Sequence, residues 1–130
     1  MSHVVVCSIC SRAKRYNQEL LPARQRYTGS HISKVEEVAR QKEQPFFILS
    51  GRYGFVSADE AIPYYDHLLT REEVNALAMK VRFQLKTHGV TECHFYTKRK
   101  SNWEPYLDVL IHAARALNVR LRVHELAGDE

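Results

Sequence analysis

Apolar residues are distributed along the chain in short runs and in stripes of helical period. His3 to Ser8 contains the β-branched Val4, Val5 and Val6, which favour a buried strand, and the polar stretch Ser8 to Asn17 ends it. A short helical piece is expected near Pro22 to Tyr27. Ser30 then caps a helix whose Ile32, Val35, Val38 and Ala39 share one face. Phe46-Phe47-Ile48-Leu49 reads as a second buried strand between Pro45 and Gly51, and turn chemistry follows as far as Asp66. Thr70 with Glu73 forms a capping box that opens a helix bearing Val74, Leu77, Ala78, Val81 and Leu85, and Gly89 ends it. Cys93, Phe95 and Thr97 alternate with His94 and Tyr96 as a third strand. Asn102 caps a helix carrying Leu107, Leu110, Ile111, Ala114 and Leu117. Val119, Leu121 and Val123 alternate with Arg120, Arg122 and His124, the pattern of a fourth strand near a sheet edge.

Strands separated by helices imply right-handed βαβ units. The expected fold is α/β: one domain over 1–130, a sandwich with a central, mainly parallel sheet of about four strands flanked by helices. In such a sheet the segments after successive strands emerge along one edge, where open α/β sheets bind ligands. Here those segments are Cys7 to Asn17, Ser50 to Asp66 and Lys98 to Trp103, so they are expected to converge.

Composition narrows the setting. The 130 residues, 45% hydrophobic and 26% charged, fit a single soluble domain, and no apolar run is long enough to cross a bilayer. Cys7, Cys10 and Cys93 cannot all pair within the chain, which favours a reducing cytoplasm over a disulfide scaffold. Residues 11–26 hold Arg12, Lys14, Arg15, Arg24 and Arg26 against Glu19, and this window accounts for the whole formal charge of +4. Lys98, Arg99 and Lys100 form a second basic cluster.

The candidate chemistry lies in the loops. In Ser50-Gly51-Arg52-Tyr53-Gly54 the glycines permit positive φ or close approach of a ligand, loop amides can bind an anion, and Arg52 offers a planar fork for phosphate or carboxylate. The same residues also make an ordinary tight turn with a surface arginine. Tyr65 beside Asp66 joins a ring able to stack on a base to a carboxylate able to take a proton, orient water or read a polar edge. An ordinary turn before the next helix uses the same residue types. His67 is a weaker neighbour of the same place. Arg12, Arg15 and Arg24 can follow a polyanion, as can Lys98, Arg99 and Lys100 with Trp103 as an aromatic neighbour; a solvated basic face has the same composition. Cys7 and Cys10 have dithiol spacing, but no apolar helix begins at the second cysteine, and no histidine or cysteine pair completes a zinc site. No motif calls for a cofactor or a metal.

The strand end Cys7-Ser8, the basic residues after it, Pro22-Ala23-Arg24 with Tyr27, then Leu49-Ser50-Gly51-Arg52-Tyr53-Gly54 and Tyr65-Asp66 resemble bacterial and phage domains of unknown function. These are similar to the YaaA-type peroxide-stress family and, more distantly, to the catalytic domain of archaeosine synthase. The resemblance covers about the first half of the chain. It implies a core akin to uracil-DNA glycosylase-like proteins and a link to nucleic acid or modified bases. It also implies ligand-binding roles for Cys7, Ser8, Lys14, Ser50, Gly51, Arg52, Tyr53, Gly54 and Tyr65. In the related pattern a lysine lies closer to the Cys-Ser pair than Lys14 does to Cys7-Ser8.

Two functions are therefore expected. One is a nucleotide, nucleoside or base pocket, in which Asp66 is the catalytic carboxylate of an enzyme acting on a base or its N-glycosidic bond. The other is a non-catalytic DNA- or RNA-binding module working through the basic edge. A thiol oxidoreductase using Cys7 and Cys10 is a third, lesser expectation. No membrane partner is expected.

Overall fold

A computed structural model describes residues 3–98 and 103–126. Its elements are β1 (Val4–Ile9), β2 (Leu21–Pro22), α1 (Ala23–Arg26), α2 (Ser30–Lys42), β3 (Phe46–Ser50), β4 (Gly54–Ser57), β5 (Ala61–Ile62), a 3-10 turn (Arg71–Glu73), α3 (Val74–Thr87), β6 (Glu92–Thr97), α4 (Glu104–Leu117) and β7 (Arg120–Glu125). The central sheet has five strands in the order β4-β3-β1-β6-β7. All its pairings are parallel except that of β3 with β4. The α/β class and the mainly parallel sheet are as expected, with β7 at an edge.

The main difference lies in the segment read as turn chemistry. It contains β4, which folds back on β3 as an antiparallel edge strand, and β5, which pairs with β2 in a separate ribbon. Phe55-Val56 is too short an apolar run to stand out as a strand in the sequence, so its pairing depends on the turn before it. Gly54 takes φ +82° there, and a Cβ on it would lie 2.4 Å from Gln84 Oε1. Gln84 clamps the turn from α3: its Oε1 accepts from Phe55 N at 2.7 Å and its Nε2 donates to Tyr53 O at 2.9 Å.

Elsewhere the elements differ from the sequence pattern by a residue or so. The first strand runs on to Ile9 rather than stopping at Ser8. Ser30 is the first residue of α2, and Gly29 precedes it in the cap position without a side-chain hydrogen bond. The Thr70–Glu73 capping box is present and opens the 3-10 turn that leads into α3. Asn102 lies outside the described residues; Trp103 stands immediately before α4.

From β1 the chain crosses through α2 to β3, then returns through α3 to β6 on the other side of β1. With right-handed crossovers this reversal puts α2 on one face and α3 with α4 on the opposite face. Val6, Cys7, Ile48, Leu49, Phe55, Phe95, Val109 and Leu110 fill the layers between, all essentially inaccessible. No helix among the described residues is long and apolar enough to cross a membrane.

Replacing Gly54 by alanine strains a left-handed backbone and drives a methyl into the Gln84 amide. Chemical denaturation of Gly54→Ala is expected to show a loss of about 1–3 kcal/mol.

Candidate functional site

The reversal of direction beside β1 leaves the carboxyl ends of β1 and β6 open to each other, as at the ligand-binding crevice of open α/β sheets. A cleft of about 120 Å³ lies there. Cys10, Ser11, Arg12 and Lys14 line it from the arm after β1, Asp66, His67 and Leu68 from the segment before the 3-10 turn, and Trp103 and Tyr106 from the start of α4. The arm after β1, the end of the turn-rich segment and the far side of the segment after β6 therefore do meet.

The arm that carries Arg12 and Lys14 has no helix or sheet of its own, and α1 holds it. Thr28 N donates to Ala13 O at 3.0 Å and Arg15 N to Arg26 O at 2.7 Å, and Lys14 and Tyr27 form an antiparallel bridge. Ser11 Oγ donates to Ala13 O at 2.6 Å and accepts from Gly29 N at 3.1 Å. Arg26, counted among the basic residues of the sequence, is fully buried. Its guanidinium donates to Arg15 O (2.6 Å), Asn17 Oδ1 (3.2 Å), Glu19 O and Ile62 O (3.2 Å), fastening the far end of the arm to β5.

The floor of the cleft is a hydrogen-bonded set of hydroxyls and one thiol. Ser50 Oγ accepts from Arg52 N (3.1 Å) and Tyr53 N (2.9 Å), so its own proton goes to Tyr65 Oη at 3.0 Å. Tyr65 Oη also meets Tyr27 Oη at 2.6 Å. Tyr106 Oη accepts from Leu69 N at 3.1 Å, leaving its proton for the Cys10 sulfur. Burial pushes the Cys10 thiol above its ordinary pKa, against the Gly51 amide, the Lys14 cation and the Tyr106 and Tyr65 hydroxyls, all of which favour the thiolate. Burial likewise lowers the pKa of Lys14, opposed by Cys10 and Asp66. The Lys14 ammonium lies 4.6 Å from the centre of the Tyr65 ring. Behind Trp103, His31 Nε2 donates to Ile9 O at 2.9 Å, and its ring sits edge-on to the indole.

Several residues singled out in the sequence stand elsewhere. Cys7 and Ser8 are buried in β1: burial and then Cys93 raise the Cys7 thiol, and Ser8 Oγ donates to Ile9 O at 2.9 Å. The cysteine and serine that line the cleft are Cys10 and Ser11, which directly follow the end of β1 at Ile9. This also places a lysine three positions after the serine, closer than Lys14 stands to Cys7-Ser8. The amides of Arg52 and Tyr53 are taken by Ser50 Oγ, so that turn does not present them to an anion. Gly51 is required for a different reason: a Cβ there would lie 2.8 Å from Tyr106 Oη. Arg52 is exposed beside Tyr53 and faces a shallow groove with Lys80 and Glu73 rather than the cleft. Tyr53 packs edge-on to Tyr65, whose own ring lies beneath Lys14, so the aromatic walls open to a ligand are Trp103 and Tyr106.

The basic residues are dispersed. Arg24 pairs with Glu36 and, at 2.7 Å, with Asp59. Arg15 lies with Arg24 along a groove beside α2. Lys98 is beyond Trp103, its ammonium 5.6 Å from that ring. Arg99 and Lys100 lie outside the described residues. Asp66 does line the cleft. Beside it His67 Nε2 donates to Glu73 Oε1 at 2.9 Å, and Glu73 is kept ionised below its usual range, chiefly by the Thr70 amide. Tyr106 carried no signal in the sequence, since its contacts with Gly51 and Leu69 join distant segments. Cys10, Cys7 and Cys93 are free thiols, and no group of histidine, cysteine and acidic residues among the described residues could hold a metal.

Residues 4–127 match the profile of a family of unknown function, DUF6884. The chain belongs to DUF6884. The match spans β1 to β7 and includes every residue of the cleft. No curated protein and no solved structure matches the chain.

Cys10 lines the cleft while Cys7 and Cys93 are packed within the sheet, so iodoacetamide is expected to label Cys10 ahead of them in the folded protein. Because burial raises its pKa, labelling should go on accelerating at pH values where an exposed thiol has levelled off. Lys14→Met removes a cation that favours the thiolate and should slow labelling at neutral pH, as read by peptide mass spectrometry. Comparable labelling of Cys7 or Cys93 would contradict this placement.

Proposed function

We propose that the cleft binds a nucleotide, a nucleoside or a nucleic-acid base, and that the protein is an enzyme acting on the base or its N-glycosidic bond. The observation that carries this reading is the lining at the reversal beside β1, where Arg12 and Lys14, the Asp66 carboxylate and two aromatic walls face one small space. Phosphate is held by Arg12 and Lys14, and the base lies against Trp103. Asp66 reads a polar edge of the base or stabilises positive charge growing on the sugar. Kinship with YaaA-type proteins and the archaeosine synthase catalytic domain, a uracil-DNA glycosylase-like core and base modification belong to the same reading and rest on the resemblance through Leu49 to Gly54 and Tyr65-Asp66. Free cysteines support a cytoplasmic setting.

One feature favours a nucleic-acid strand as the carrier of that base. Tyr16, 74% exposed, packs edge-on against the exposed Tyr64, next in sequence to Arg15. Exposed rings beside cations suit stacking along a single strand. A non-catalytic module would need a continuous basic track, and the dispersal of Arg24, Arg26 and Lys98 favours the pocket instead.

Trp103 is the only tryptophan, so its fluorescence reports directly on the cleft. Nucleoside monophosphates are expected to give a saturable change that Lys14→Met weakens about tenfold, as for loss of one charge-assisted contact. The corresponding nucleosides should be much less affected by that substitution. A module would instead bind oligonucleotides with affinity falling steeply in salt and indifferent to Asp66. On a confirmed substrate Asp66→Asn should lower turnover more than binding, and unchanged turnover removes Asp66 from the mechanism. If neither nucleotides nor oligonucleotides alter the signal, the reading fails.

A further inference from the structure

The outer face of α3 carries apolar side chains into water at the end away from the cleft. Val74, Leu77, Ala78, Val81 and Leu85 turn this helix toward the core, so Met79, Arg82, Phe83 and Lys86, at i, i+3, i+4 and i+7, form a stripe on its other side. Met79 is 68% exposed and Phe83 71%. Large apolar side chains grouped in this way mark a contact surface. The stripe forms one wall of a groove of about 320 Å³, and Ala116 and Leu117 in the last turn of α4 form the other. Because α3 and α4 lead into the amino ends of β6 and β7, the groove lies at the opposite edge of the sheet from the cleft.

The charge of the groove is one-sided. Arg82 and Lys86 line it, and among the described residues no carboxylate does. Arg24, Arg40 and Arg71 each have a carboxylate partner, whereas Arg82 and Lys86 have none among the described residues. Two copies meeting through this face about a two-fold axis would gather the same uncompensated cations from both in one interface, which opposes self-association. A flat bilayer would leave the concave space between the two helices unfilled. The groove takes a few side chains, the scale of a short peptide rather than of a domain face.

We infer that this groove docks an acidic, amphipathic peptide segment of a partner protein. Its apolar side chains enter between Phe83 and Leu117 and cover Met79, and the carboxylates flanking them pair with Arg82 and Lys86. The surface goes beyond the base-binding reading and does not depend on it, since among the described residues none lines both the cleft and the groove.

Short random peptides displayed on phage and panned on the whole protein are expected to enrich sequences in which Asp or Glu flank large apolar residues. Phe83→Ser alters an exposed side chain and should leave the thermal midpoint unchanged. A synthetic peptide of the enriched sequence should nonetheless bind that variant about tenfold more weakly, as for loss of an interface anchor. Lys86→Met should weaken it about 2- to 5-fold, more at low salt. Exchanging the peptide's acidic residues for Asn and Gln should also weaken it, while Lys14→Met, which acts on the cleft, should not. Panning that enriches no sequence, or enriches basic or uncharged ones, overturns the inference, as does a selected peptide that Phe83→Ser binds as the wild type does. So does a concentration-dependent dimer, or binding to phosphatidylserine vesicles, that Phe83→Ser abolishes, since a second copy or a membrane would then occupy this face.

Discussion

A buried guanidinium organises the site. Water does not reach the Arg26 guanidinium, so its N–H groups depend on acceptors in the protein, and both terminal nitrogens find them whereas Nε has none among the described residues. Those acceptors are the carbonyls of Arg15, Glu19 and Ile62 and the Asn17 side chain, and among the described residues no carboxylate pairs with it. Satisfying one cation thus draws the irregular arm after β1 down onto α1 and β5. The same arm, at its near end, presents Arg12 and Lys14 to the cleft. Loss of that anchorage would free the arm without touching a residue that faces a ligand.

The rest of the site follows from strand order and from satisfied polar atoms. Because the chain reverses beside β1, the ends of β1 and β6 have no crossover passing between them, and Trp103 stands in the gap as a partition. The cleft floor is rigid because each hydroxyl there has a fixed task. Ser50 closes its own turn and supports Tyr65, while Tyr106 takes the Leu69 amide and supports Cys10. What remains open to a ligand is a small set of ends: the Lys14 ammonium, the Arg12 guanidinium, the Asp66 carboxylate and the His67 ring.

Much of this was legible in the sequence where a residue acts through its near neighbours. The valine run of β1, the Thr70–Glu73 capping box and the alternation in β6 specify local structure through period and hydrogen bonding, and they hold. Asp66, Lys14 and Trp103 were visible as chemistry on loops, and the sheet edge brings them together. In the turn Ser50 to Gly54 the glycines make room for Tyr106 of α4 and Gln84 of α3, contacts remote in sequence that local pattern does not show. Arg24 and Arg26 misled for a similar reason: charge read along a chain does not show which cations find partners or burial in three dimensions.

The sequence by itself determined the α/β class, the parallel character of the sheet, the absence of a long apolar helix and the segments that supply the site, because these depend on composition and short-range periodicity. Only the tertiary structure decided that Cys10-Ser11 and not Cys7-Ser8 lines the cleft, that β4 turns back as an antiparallel edge strand, and that Tyr106 is part of the floor. Where a strand ends decides which of the residues after it are free to turn toward the sheet edge. Contacts between segments tens of residues apart leave no trace in local pattern, and the identity of each pocket wall therefore waits on how the layers pack.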